Sequence, residues 1–343
     1  MTQLSTPVKV LLVGAAFVVI VAGMRTAEAL LVPFLLSVFI AVISTPALFW
    51  LQSWRVPSTL AVTLIIGLII ALAVGLGILI SSSLDDFISN LPVYERRLRD
   101  ELGLVITWLQ GIGVEVSKDA LFDYFDPGKA MQLAGATLTG LGNVLSNFFL
   151  ILLTVIFILF EASGFRVKLQ TILEDPDTSL PHFSRFSDTL KRYMVIKTWV
   201  SIGTGLVIGI WLAVLGVDYP VLWGVLAFAL NFVPNIGSVI AAIPAVLLAL
   251  IQIDGQTAIL AAAGYVVVNL VMGNVIEPRY MGRHLGLSTL VVFLSLVFWG
   301  WVLGPVGMLL SVPLTMTVKI ALESHEDTQW VAIMLGPQKE LGD

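Results

Sequence analysis

Between Thr198 and Thr317 the chain carries only five charged residues, Asp218, Asp254, Glu277, Arg279 and Arg283, yet polar and helix-breaking residues recur there in clusters. Asn231-Phe-Val-Pro234-Asn235-Ile-Gly237 sets two carboxamides beside a proline and a glycine. Each carboxamide offers a donor and an acceptor, so the pair suits a neutral polyhydroxyl solute or a desolvated cation. The same asparagines would also serve to cap half-helices and bond freed backbone groups. Gly300-Trp-Val-Leu-Gly304-Pro305-Val-Gly307 is a second break. A third cluster is Asn274-Val-Ile-Glu277-Pro278-Arg279, with Asn269 further inside the same apolar run. An acid within a membrane is costly, which makes Glu277 a gating or proton-coupling candidate with Arg279. The alternative is a paired, solvated turn at a helix end. Asp218, just before Pro220, is a candidate of the same kind or an interfacial helix cap.

Enzyme chemistry has little to work with. There is no cysteine, and His182, His284 and His325 are far apart in sequence, so no metal motif and no thiol nucleophile is expected. Neither a Gly-x4-Gly-Lys-Ser/Thr loop nor a His-Glu-x-x-His pair occurs. No cofactor and no nucleic-acid partner is expected, and the chain is read as a non-enzyme.

The elements that must position these clusters are membrane helices. Of the 343 residues 58% are hydrophobic and 12% charged, and the mean hydropathy is +0.98. That balance belongs to a chain solvated by lipid. Largely apolar runs at Val10–Met24, Leu30–Trp50, Thr59–Ile80, Leu141–Phe160 and Thr257–Val275 show no strand alternation. Open strand edges cannot face hydrocarbon, so they predict helices. An uncleaved first helix is favoured over a signal peptide because a second long apolar run follows it almost at once.

Charge divides the chain into three N-terminal transmembrane helices (1–83), a polar insertion (84–137), a fourth transmembrane helix (138–160), a polar helical loop (161–197), a C-terminal transmembrane block (198–321) and a tail (322–343). Phe87, Leu91, Tyr94, Leu98, Leu102 and Ile106 give the insertion the period of an amphipathic helix. Arg166, Lys168, Lys191, Arg192 and Lys197 press against the two helices that flank the 161–197 loop, which places that loop in the cytoplasm and the insertion outside. Both termini are then cytoplasmic. Within the C-terminal block, 219–251 and 285–320 are each interrupted, and each is either two short spans or one re-entrant hairpin. Gly205 with Gly209, and Gly300 with Gly304, have a spacing that lets helices approach closely. Trp50, Trp54, Trp299 and Trp301 fall near segment ends, where belt residues are expected.

Asp218-Tyr-Pro220, the Asn231–Gly237 run, Ile243-Pro244-Ala245, Asn274–Gly282, Gly286-Leu-Ser, Gly304-Pro305-Val-Gly307-Met308 and Val312-Pro313-Leu314 come in an order that resembles the autoinducer-2 exporter (AI-2E) family, the PerM-like permeases. Ser288-Thr289 departs from the His-Pro pair of many relatives. The resemblance implies an all-α, polytopic bacterial inner-membrane transporter of about eight helices. It also implies a homo-oligomer, a pentamer, and a role in quorum sensing.

The expected function is therefore export of autoinducer-2 or a similar small polar solute. Asn231, Pro234, Asn235, Gly237, Asn269, Asn274, Gly304, Pro305 and Gly307 would line the path, and Glu277, Arg279 and Asp218 would gate or couple it. Two alternatives stay open: a sodium or lithium/proton antiporter, which needs a titrating carboxylate, and a non-transporting membrane scaffold. Besides the solute, the expected partners are membrane lipid, a coupling proton or sodium ion, and further copies of the chain.

Overall fold

The structure, a computed structural model, describes residues 6–111, 147–172, 176–234, 236–281, 286–323 and 327–337. Every described element is helical: α1 (Thr6–Thr26), α2 (Glu28–Ser53), α3 (Ser58–Gly111), α4 (Phe148–Ile172), α5 (Pro176–Val214), α6 (Pro220–Leu230), α7 (Gly237–Gln252) and α8 (Gly255–Val271). A π-helical turn (Met272–Ile276) leads into α9 (Glu277–Met281), followed by α10 (Thr289–Leu309), α11 (Ser311–Glu323) and α12 (Gln329–Leu335). Among the described residues five helices are long and apolar enough to cross a bilayer, and shorter apolar helices accompany them. Large apolar side chains such as Leu11, Val13, Phe149, Phe157 and Ile259 stand outward on them, as a lipid-facing surface requires. The chain is a multi-pass membrane protein.

Helix α3 differs from the expected division at residue 83. It runs unbroken for 54 residues through the end of the third apolar run and into the insertion. Ser81, Ser82 and Ser83 turn their hydroxyls onto the carbonyls of Gly77, Ile78 and Leu79, so the polar segment leaves the helix intact. Lipid-facing helix thus passes into amphipathic helix by a change of side chains alone. Residues 112–137 of the insertion lie outside the described residues.

The chain forms two compact units. One contains Thr63–Phe148 and Arg192–Leu285. At its core Phe87 of α3 meets the Trp223 ring edge-on at 5.4 Å and the Tyr219 ring at 6.3 Å. Phe87, the first residue of the amphipathic row expected of the insertion, therefore packs on α6. Leu222, Trp223 and Leu226 interleave with Ala241, Ala245 and Leu248 of α7 and Ala261 of α8.

In this unit α6 and α7 form a helical hairpin. The backbone N–H of Asp218 donates to Gln252 Oε1 at 2.9 Å, and Gln252 Nε2 donates to the Gly216 carbonyl at 3.4 Å. The segment's two ends therefore meet. Helix α6, with 11 residues, reaches only about 16 Å against a hydrocarbon core of about 30 Å. The segment 219–251 is thus a helical hairpin with a joined base.

The other unit contains Met1–Val62, Phe149–Lys191 and Gly286–Asp343. It holds a second hairpin. Helix α10 breaks at Leu303 (φ −125°, ψ 16°) and Gly304 (φ 63°, ψ −153°), and Pro305 follows. That glycine conformation is essentially closed to residues with a Cβ. Lys319 Nζ of α11 then donates to the Gly286 carbonyl at 2.7 Å, which closes the base. Trp299, expected in the interfacial belt, is instead buried and donates to Thr315 Oγ1 at 2.9 Å across the hairpin. Trp50 and Trp54 are exposed, their rings tilted against each other with centroids 4.7 Å apart, and Trp301 is exposed beneath the Arg25 guanidinium. In the tail, α12 docks on the base of this hairpin. The Ser288 N–H donates to the Leu335 carbonyl at 3.0 Å, and Ala332 is buried.

Candidate functional site

Helix α5 organises the polar groups of the first unit along one face. Tyr193, Lys197, Ser201, Gly205 and Gly209 recur every four residues, a spacing that stacks side chains turn upon turn. The glycine end receives α6. A Cβ on Gly205 would stand 2.6 Å from the Gly224 carbonyl oxygen and 2.8 Å from Phe228 Cβ, so the two backbones meet with no room for a side chain. One turn back, Ser201 Oγ accepts a 2.9 Å hydrogen bond from Asn231 Nδ2 at the hairpin tip. Another turn back lies Lys197. The hairpin therefore runs antiparallel along α5, and its tip ends one turn short of a charge.

That charge is paired. Lys197 Nζ donates to both oxygens of Glu277, at 3.0 and 2.8 Å, with side-chain exposures of 7% and 19%. Glu277 is brought there by the π-turn, whose extra residue makes the Glu277 N–H reach back five residues to the Met272 carbonyl. Pro278 supplies no N–H, so a carbonyl of that preceding turn has no helical donor. Two polar pairs thus sit on adjacent turns of one helix: an amide with a hydroxyl, and an ammonium with a carboxylate. Together they offer hydrogen-bond donors and acceptors at no net charge.

The expected site residues divide accordingly. Asn231 and Glu277 are brought to the same helix face. Pro234 lies in the tip, and Gly237, buried directly against the Leu230 carbonyl, closes it. Asn235 lies outside the described residues. Asn269 is half-buried on α8, Asn274 is exposed in the π-turn, and Arg279 is exposed. Asp218 stands at the far end of the hairpin, exposed, where its carbonyl accepts from Trp223 Nε1 at 2.9 Å. Gly304, Pro305 and Gly307 belong to the other unit and form the tip of its hairpin. There Glu28 Oε1 lies 3.0 Å from the point a Cβ on Gly304 would occupy. Sequence reasoning used Lys197 only as a marker of topology and passed over Ser201. The signal that pointed to both was the four-residue row they share with Gly205 and Gly209.

A polytopic helical protein with broken helices and a neutralised polar row defines a membrane transporter by its architecture. Comparison with known proteins identifies which kind. A profile described as AI-2E family transporter matches residues 15–327. The AI-2 transport protein TqsA of Escherichia coli (strain K12) is 46% identical over 327 residues, covering 95% of each chain. YhhT of the same strain is 38% identical over 332 residues, covering 97% of this chain and 95% of its own. A Haemophilus influenzae (strain ATCC 51907 / DSM 11121 / KW20 / Rd) protein is 41% identical over 330 residues, covering 94% of each. The chain belongs to the AI-2E transporter family. It is a membrane transporter and no enzyme.

Proposed function

We propose that the protein is a secondary transporter of the bacterial inner membrane that exports autoinducer-2 or a small polar solute like it. The observation that carries this reading is the tip of the α6–α7 hairpin, where Asn231 meets Ser201 one turn from the Lys197–Glu277 pair. Such a row offers donors and acceptors to a neutral polyhydroxyl solute without imposing a net charge on it. The printed name of TqsA, an AI-2 transport protein 46% identical to this chain, supports the choice of solute.

Asn231, Pro234, Asn235 and Gly237 are the proposed solute-binding residues of the break, and Asn269 and Asn274 are proposed to line the same path. Glu277 and Arg279 stand at the proposed cytoplasmic mouth, Asp218 at the outer base. With both termini cytoplasmic, the hairpin enters from outside. Gly304, Pro305 and Gly307 provide a second polar break within their own unit. Assembly into a pentamer, and a place in quorum sensing, rest on the family resemblance.

The antiporter alternative loses support because Glu277 is held by Lys197 and Asp218 is exposed at the base, so neither is a free buried carboxylate. The discriminating experiment uses proteoliposomes under a proton gradient, one set with labelled autoinducer-2, the other with a pH dye and added sodium or lithium. Saturable movement of the label, lost in Asn231→Ala/Asn235→Ala, is expected. Cation-dependent dye recovery without label movement would replace this reading with the antiporter.

A further inference from the structure

Glu277 is an acid in a nearly charge-free membrane block, and its surroundings resemble a place for a monovalent cation. Both carboxylate oxygens converge on one positive centre at 2.8 and 3.0 Å. Pro278 has no N–H to give the π-turn that precedes it, and interrupted helices commonly turn carbonyls freed in this way onto sodium. A hard cation prefers oxygen ligands such as this carboxylate. The positive centre is Lys197 Nζ, covalently tethered to α5. Arg279, the nearest other described cation in the sequence, is exposed, and among the described residues the ion pair of Glu277 is with Lys197.

We propose that Lys197 occupies an alkali-cation site centred on Glu277, so that its ammonium serves as a built-in counter-ion and keeps the site closed to sodium, lithium and potassium. Removing the ammonium opens the site to an alkali ion. The charge balance is explicit: one carboxylate is met by one positive charge, supplied by the chain in the native protein and by solution in the variant. This inference goes beyond the solute reading and does not depend on which solute moves.

The test follows thermal unfolding of the purified full-length protein in sodium, lithium, potassium or choline chloride at equal ionic strength. No transport is needed, so its outcome is separable from that of the transport assay. The native protein is expected to unfold at the same temperature in all four salts. Lys197→Met should unfold earlier in choline and regain about half or more of the loss, saturably, in at least one alkali chloride, as a ligand binding only the folded state would produce. Lys197→Met/Glu277→Gln should recover in choline and respond to no cation. The inference is overturned if Lys197→Met responds no more than the native protein, or if the double variant still responds. A native protein that is itself stabilised by alkali ions over choline overturns it without any variant. So does a Lys197→Met protein that is recoverable in none of the salts while the double variant is.

Discussion

Lys197 and Glu277 carry opposite charges into a place where neither survives alone. Removing one partner of a buried pair leaves an uncompensated charge and costs about 3–5 kcal/mol, whereas replacing both with neutral groups of similar volume is close to neutral. Lys197→Met in choline salts should therefore lose most of that amount by denaturant unfolding, and Lys197→Met/Glu277→Gln should lose little. Trp223 offers a control in the same unit. It is fully buried against Phe87, and Trp223→Ala should cost about 3–5 kcal/mol by leaving a cavity, with no dependence on the cation present. At this scale the sequence was legible where chemistry and helix-breaking coincide. Asn231 and Glu277 stand out among apolar neighbours, and both reach the polar row. Lys197 does not stand out, because a lysine at the end of an apolar run also reads as an interfacial marker. Its partner, 80 positions away along the chain, becomes visible only in the fold.

The helices of this unit depend on two local devices. The first is the glycine contact with α5. Gly205→Leu should drive a side chain into the Gly224 carbonyl and Phe228, costing at least about 1–3 kcal/mol as an overpacked site does, and should weaken the Asn231–Ser201 contact one turn away. The second is the cap that starts the next helix. Asp254 accepts from the Thr257 N–H at 2.7 Å, and these hydrogen bonds from Thr257 hold its carboxyl below its ordinary value of 3.8. A depressed folded-state pKa means that the cap's contribution is present above the ordinary value and disappears as pH falls through the depressed one. Asp254→Ala should therefore lower the unfolding temperature at neutral pH, and the gap to the native protein should close on acidification. Breaks at Asn231–Gly237 and Gly300–Gly307 were legible from proline and glycine alone. How the two ends of each broken segment are tied together was not. That answer rests on Gln252 and Lys319, whose bonds close the two bases and whose residue types announce nothing in the sequence.

At the scale of the molecule, apolar runs and charge asymmetry yielded the membrane architecture directly, because lipid forces every backbone group to be satisfied within a helix. Composition could not mark where α3 ends, since its backbone continues while only its solvent changes. The sequence contains no cysteine, so single-cysteine variants report topology without background. Asp218→Cys and Gln252→Cys should both react with a membrane-impermeant maleimide from the same face, the extracytoplasmic one in the proposed orientation. Labelling from opposite faces would overturn the hairpin, because its two ends could not then meet. The decisive position is Asn231. In the proposed transporter, Asn231→Cys at the hairpin tip should react with a small water-soluble thiol reagent, and autoinducer-2 should slow that reaction saturably. A cysteine there that stays inert, or reacts at a rate indifferent to every polar solute offered, would mean that the tip is packed interior and that no solute path runs past it.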